Sequence, residues 1–168
     1  FTEGALTREE IVVVSKAGYL QGSLLGELKL EEEIDPLPGR IARVAQDHWH
    51  SVSPEYVKRC LEQSLERLGL ASLDVLLLHN PEYLIEPGPP EAANSPLYAR
   101  ADAFYGALVE SFRALEAAVE AGVLGCYGVS SNTLAASLTD ERRTSLERFV
   151  DAAREAGGED HHLKVIQL

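Results

Sequence analysis

The sequence has no methionine and only two cysteines, and aromatic residues make up 7% of it. Each shortage excludes something. Cys60 and Cys126 are 66 positions apart in apolar surroundings, so they read as buried free thiols of a reducing, cytoplasmic compartment rather than a disulfide framework. No run of about 18 apolar residues exists, which leaves no helix to span a membrane. Basic residues are scarce: 15 Lys and Arg face 27 Asp and Glu, for a formal net charge of −12. Such a surface repels phosphate backbones and argues against a nucleic-acid partner. The chain opens on Phe1-Thr-Glu-Gly4, with neither a basic start nor an apolar stretch, so no signal peptide is read there. With no methionine at position 1, the expectation is a chain whose true N-terminus is missing.

Several chemical motifs are also lacking. No Gly-x-Gly-x-x-Gly follows a strand, so a Rossmann dinucleotide site has no support. There is no P-loop, no His-Glu-x-x-His pair for a metal, and no Gly-x-Ser-x-Gly elbow for a serine hydrolase. His48-Trp49-His50 has two histidines without a third placed ligand, which favours a loop hydrogen-bonding role over a metal site. His161-His162, beside Glu159-Asp160, reads as a solvated turn.

What is present is alternation. Four short runs are rich in aliphatic and β-branched residues: 11–15, 73–78, 125–129 and 164–168. Nearly continuous apolar runs suit strands covered on both faces of a parallel sheet. Between them lie three amphipathic helices. Ser53-Pro54 offers an N-cap and a first-turn proline; Val57, Leu61, Ser64, Leu65 and Leu68 follow at helical spacing, and Gly69 stops the helix. A second helix spans about 100–121 with Phe104, Leu108, Phe112, Leu115 and Val119 on one stripe. A third spans about 140–156 with Leu146, Phe149, Val150 and Ala153 inward. The order β–α–β–α–β–α–β predicts a parallel α/β sheet with crossover helices. An open doubly wound sheet and a (β/α)8 TIM barrel both satisfy it. A closed barrel normally takes ~250 residues, so residues 1–168 are expected to be one partial domain, truncated at both ends.

Long loops follow the first and second strands (17–52 and 80–99), whereas the loops before strands are short. In parallel α/β folds the loops after strands carry the site. The strand ends there are polar: Lys16, His79, Ser130-Ser131-Asn132 and Gln167. Singly, each has an ordinary explanation, such as a snorkelling lysine, a turn-holding histidine or a helix cap. Together they predict a polar cleft over an apolar floor.

Val14-Ser-Lys-Ala-Gly-Tyr19, Leu61-Glu-Gln-Ser-Leu-Glu-Arg-Leu-Gly69, Leu73-Asp-Val-Leu-Leu-Leu-His-Asn-Pro81 and Tyr127-Gly-Val-Ser-Ser-Asn132 resemble, in order, successive blocks of the aldo-keto reductases. The resemblance runs from about residue 9 to residue 168, and the ending Gly157-Gly-Glu-Asp-His-His-Leu-Lys-Val-Ile-Gln-Leu168 is similar to a long-chain branch of that family. It implies a (β/α)8 barrel, of which this chain supplies strands three to six, and reduction of aldehyde or ketone carbonyls with NADPH or NADH. It implies Lys16 and His79 as two members of an Asp-Tyr-Lys-His catalytic set whose aspartate and tyrosine precede the present N-terminus. Neither Tyr19 nor Asp74 takes their place: Tyr19 lies beyond the lysine and Asp74 at the opposite end of its strand. The resemblance implies that Ser130 and Gln167 hold the nicotinamide carboxamide, together with Ser131 or Asn132. No metal, nucleic acid or membrane is implied; the partner is a small carbonyl compound.

Those residue types suit the chemistry. Hydride addition builds negative charge on a carbonyl oxygen, which a fixed imidazole donor stabilises. A free phenol titrates near pH 10, and a nearby ammonium lowers that value. Three rivals remain open at this level: a nicotinamide-binding sensor without catalysis, a structural α/β module, and a barrel enzyme using Lys16 as a Schiff-base nucleophile.

Overall fold

The computed structural model describes residues 6–21, 41–45, 47–85, 97–137, 139–140 and 143–168. The prolines at 87, 89, 90 and 96, which the sequence assigns to the second long loop, lie outside them. The elements are β1 (Val14–Ala17), β2 (Tyr19–Leu20), β3 (Ile41–Ala45), β4 (His48–Ser51), α1 (Pro54–Leu68), β5 (Leu73–His79), α2 (Leu97–Glu120), β6 (Leu124–Ser130), α3 (Leu146–Gly157) and β7 (Leu163–Gln167).

Four strands form one parallel sheet in the order β1-β5-β6-β7. They are the four that the apolar runs predict, with one shift. The first strand was expected at 11–15 and lies at Val14–Ala17, because hydrogen bonding rather than hydropathy sets its limits. At its start the Val13 N–H donates to the Asp74 carboxylate at 2.6 Å, and the Val13 carbonyl accepts from Asp74 and Val75. Pairing then runs through Lys16↔Leu77 and Ala17↔Leu78 and ends at Gly18, whose φ of +145° turns the chain out of the sheet.

Two of the helices, α1 and α3, start at a side-chain cap. The Ser53 hydroxyl accepts from the Tyr56 N–H at 3.3 Å, Pro54 occupies the first turn, and Gly69 closes α1 in the left-handed region at φ +63°, where a Cβ is strained. Ser145 caps α3 in the same way by accepting from Arg148. That cap starts α3 at Leu146, six residues later than the periodicity predicts. Leu146 was expected to face inward and is half exposed instead, as is Leu68; each is the terminal residue of its helix, beyond the reach of the packed face.

The core lies between the sheet and the helices. Leu76, Leu78, Tyr127 and Val129 meet Val57 and Leu61 of α1, Leu108, Phe112 and Leu115 of α2, and Phe149 and Ala153 of α3, all buried. Phe104, Tyr105 and Phe149 stack edge to face between α2 and α3, and the Arg148 guanidinium lies 4.1 Å over the Tyr105 ring while pairing with Asp102 at 2.6 Å. Cys60 and Cys126 are free and half-buried.

The first long loop contains structure that hydropathy did not predict. β2, β4 and β3 make a small antiparallel sheet in that order. It packs on α1 through a second cluster of Leu20, Trp49 and Tyr56. Hydrogen bonds from the Tyr56 hydroxyl to the Tyr19 carbonyl (2.6 Å) and from Ser51 N–H to the Gly18 carbonyl (2.8 Å) fasten it beside the end of β1. No helix among the described residues is long and apolar enough to cross a membrane.

Because the Ser53 hydroxyl is buried and satisfies an otherwise orphaned helix N–H, Ser53→Ala should destabilise the fold by about 1 kcal/mol. Urea unfolding should show a lower midpoint with an unchanged slope.

Candidate active site at the ends of the parallel strands

Register places the polar residues before any side chain is considered. In a parallel ladder, paired residues point to the same face, and successive residues alternate. Lys16 pairs with Leu77, Leu77 with Gly128, and Gly128 with Val165. Two residues on, His79 pairs with Ser130 and Ser130 with Gln167. Lys16 therefore lies one layer below His79, Ser130 and Gln167, on the same face. Ser15 faces the opposite way, where its hydroxyl meets that of Ser64 on α1 at 2.7 Å.

The side chains use that placement. The Lys16 ammonium donates to Ser130 Oγ at 3.4 Å, and Ser130 Oγ donates to Gln167 Oε1 at 2.9 Å. Lysine, serine and glutamine thus form one chain of hydrogen bonds across three strands. Ser130 is buried, whereas Lys16 and Gln167 are exposed. His79 stands beside them, half-buried. Partial burial lowers its pKa, and the Lys16 charge lowers it further; both oppose protonation, so the imidazole is neutral at physiological pH.

Ser131 and Asn132 part from this group. The Ser131 side chain is buried with Thr133 and Thr144, its hydroxyl 3.2 Å and 3.3 Å from theirs, and Thr133 and Thr144 meet at 3.0 Å. Asn132 is exposed, and its backbone N–H donates to the buried Glu82 carboxylate at 2.9 Å. Residues 133–136 form a turn, with Ala136 N–H on the Thr133 carbonyl. Glu82 ties the segment after β5 to the segment after β6, a connection that no sequence motif signalled.

Asp74 is at the far end of β5 from His79, where Arg8 pairs with it at 2.7 Å. Tyr19 is near the cleft: its ring stands edge-on to His79 with centroids 4.8 Å apart, and its hydroxyl accepts from Asn80 Nδ2 at 2.7 Å. Burial and the neighbouring Tyr83 push its pKa up to about 12. A phenol so held is a poorer acid than a free one, the reverse of what a proton donor at neutral pH requires.

The histidine pairs read as loop and turn residues have other places. His48 and His50 lie in β4, with Tyr19 and Tyr83 packed against both rings. His50 is fully buried, and its Nε2 is 2.6 Å from the His79 carbonyl. His162 is half-buried rather than solvated: its backbone N–H donates to Glu116 Oε1 at 2.8 Å, and its Nδ1 lies 2.6 Å from Glu116 Oε2. The Tyr127 hydroxyl donates to the same carboxylate at 2.7 Å, and these hydrogen bonds outweigh burial to hold Glu116 below the usual carboxylate range. Among the described residues no group of three or more His, Cys, Asp or Glu side chains is arranged to hold a metal ion.

Polar side chains gathered at the ends of the strands lie where parallel α/β folds form their sites. The model of the Aldo/keto reductase family matches residues 3–150, and the chain belongs to that family. No curated protein matches it. Among solved structures it is similar to "aldo-keto reductase AKR11C1 from Bacillus halodurans (holo form)", at 20% identity and a TM-score of 0.43 over 75% of this chain and 28% of that one. It is also similar to "Putative aldo-keto reductase from Pseudomona aeruginosa", at 20% identity and a TM-score of 0.42 over 95% of this chain and 49% of that one. The chain therefore spans half or less of the length of the solved structures it matches.

Burial drives the His50 pKa down to about 4, with its hydrogen bond to His79 only partly opposing that shift. The folded state then binds fewer protons than the unfolded chain, whose histidine titrates near 6.5. Stability should be full above about pH 6.5 and fall as pH drops toward 4, by roughly 3 kcal/mol from this residue. Urea unfolding at a series of pH values should show that loss, and His50→Gln should flatten the curve in that window.

Proposed function

We propose that the protein reduces aldehyde or ketone carbonyls, or oxidises the corresponding alcohols, with NADPH or NADH, and that Lys16, His79, Ser130 and Gln167 belong to the site. The observation that carries this reading is the convergence of those four side chains at one end of a parallel sheet, in a member of the aldo/keto reductase family.

The donor set fits a nicotinamide. A primary carboxamide has one acceptor and one donor group; the Ser130 hydroxyl and the Gln167 amide offer both in return, and they already face each other at 2.9 Å. Of the two adjoining candidates, Ser131 has its hydroxyl engaged in the Ser/Thr cluster, whereas Asn132 is exposed and is the better third contact. The cofactor, when bound, supplies the hydride. This chain's residues supply orientation and charge. Ser130 and Gln167 set which face of the ring is presented. His79, neutral and anchored at a strand end, offers an N–H to the substrate oxygen as negative charge gathers there. Lys16 lies one layer below, where an ammonium makes a phenolic proton donor at the rim easier to ionise. Tyr19 does not serve as that donor, since its surroundings raise its pKa. The substrate is a small carbonyl compound, and a formal net charge of −12 disfavours a nucleic-acid partner.

In the whole protein, His79→Ala should lower kcat for carbonyl reduction at least ~100-fold, the scale of one lost oxyanion donor, with NADPH affinity unchanged by fluorescence titration. Unchanged turnover in a folded variant would remove His79 from the chemistry. Lys16→Met should raise the pH midpoint at which reduction loses its proton donor, on the alkaline side of the pH–rate profile, or abolish reduction. Ser130→Ala and Gln167→Ala should weaken NADPH binding in the same titration, and equal affinity in both would rule out the carboxamide site.

A further inference from the structure

The end of β5 presents a backbone problem. A peptide unit points its C=O and N–H in opposite directions. The Asn80 N–H donates to the Ser130 carbonyl of β6 at 2.7 Å, so the His79 carbonyl faces the β1 side. There the ladder has already ended: its last pair is Ala17↔Leu78, and at Gly18 the chain turns away with φ +145°. The carbonyl of the residue at the centre of the cleft is left without a strand partner, and a buried carbonyl without one costs free energy.

A side chain takes the missing strand's place. His50, from the middle of β4, brings Nε2 to 2.6 Å from the His79 carbonyl oxygen. A carbonyl accepts only, so Nε2 carries the proton and Nδ1 does not. The ring is fully buried, and Nδ1 is buried without a hydrogen-bond partner among the described residues. The titratable groups packed around it are His48, His79, Tyr19 and Tyr83, and none of these four is a carboxylate that would favour a second proton.

The slot is also shaped for this contact. A Cβ on residue 18 would come within 2.5 Å of His50 Nε2 and 2.9 Å of the His79 carbonyl oxygen. Glycine at 18 therefore does two things at once: it turns the chain and leaves the gap that the imidazole fills. The Tyr19 ring stands edge-on to both His50 and His79, and Asn80 holds the Tyr19 hydroxyl.

We infer that His50 is a positioning residue for His79: a neutral, Nε2-protonated imidazole that completes the β1–β5 ladder from outside the sheet and fixes the strand end from which the His79 ring enters the cleft. The inference deepens the carbonyl-reductase reading and rests on it for its catalytic consequence, whereas the hydrogen bond itself stands apart from that reading.

Two substitutions separate the N–H from the ring. His50→Gln places an amide N–H near where Nε2 lies, whereas His50→Phe keeps a ring of similar shape and removes the donor. In the whole protein, His50→Gln should keep kcat within about threefold of wild type. His50→Phe should lower kcat about 10- to 100-fold, the cost of a misplaced catalytic group, with KM and NADPH affinity nearly unchanged. His50→Phe with wild-type kcat, or His50→Gln as impaired as His50→Phe, would overturn the inference. Long-range 1H–15N spectra of the unsubstituted protein provide a readout that needs neither turnover nor a folded His50→Phe variant. His50 should appear as the Nε2–H tautomer, and an Nδ1–H tautomer would refute the contact. The His79 titration followed in the same spectra should match between wild type and His50→Gln, and a displaced midpoint in His50→Gln counts against the positioning role. If the protein reduces no carbonyl, the reductase reading fails, and the tautomer and the His79 titration still decide whether His50 holds that strand end.

Discussion

The parallel ladder joining β1, β5, β6 and β7 is the constraint on which the rest depends. Its registers put His79 opposite Ser130, and Ser130 opposite Gln167, with Lys16 two residues lower on the same face. A slip of one residue anywhere in that ladder would move a polar residue to the helix side and an aliphatic one into the cleft, because side chains alternate with a period of two. The apolar neighbours enforce the register. Leu76 and Leu78, on the other face of β5, are fully buried against the helices, so the strand has no alternative placement that keeps both inside. Packing on one face thus determines chemistry on the other.

The rim is braced differently on its two sides. Toward β6, backbone and carboxylate do the holding: Asn80 N–H reaches the Ser130 carbonyl, Glu82 receives the Asn132 N–H, and three buried hydroxyls close on one another behind Ser131. Toward β1, the strand stops short and an added antiparallel sheet supplies the missing partner through His50. That small sheet has its own apolar anchor in Leu20, Trp49 and Tyr56, and it fills the space beside Gly18. Partial burial and the Lys16 charge both hold the His79 imidazole toward its unprotonated form.

Much of this was legible in the residues. Nearly continuous aliphatic runs announced buried parallel strands, and Ser53-Pro54 with Gly69 announced both ends of α1. The polar residues that follow those runs announced a rim. What escaped were the elements without periodicity. Tyr19–Leu20 and His48–Ser51 are two and four residues long, too short for alternation to show, and their apolar content is spent on one small cluster. The start of α3 escaped because a cap at Ser145, rather than the apolar stripe, decided it. His162 looked solvated because its partner, Glu116, is 46 residues away and nothing local marks it.

The sequence by itself determined the parallel α/β class, the order of the four parallel strands and three helices, and the resemblance to the aldo-keto reductases, because all three are written in local patterns: apolar runs, caps and short motifs. It also determined that lysine, histidine, serine and glutamine stand near strand ends. Only the tertiary structure decided which of them touch. It linked Lys16 to Ser130 and Ser130 to Gln167, turned the Ser131 hydroxyl toward Thr133 and Thr144, set Tyr19 beside His79 with a phenol that holds its proton, and brought His50 to the His79 carbonyl. Apart from those of Ser131, which are 2 and 13 positions away, these contacts join residues 29 to 114 positions apart. Strand register and the packing of one sheet beside another create them, and no local pattern encodes either.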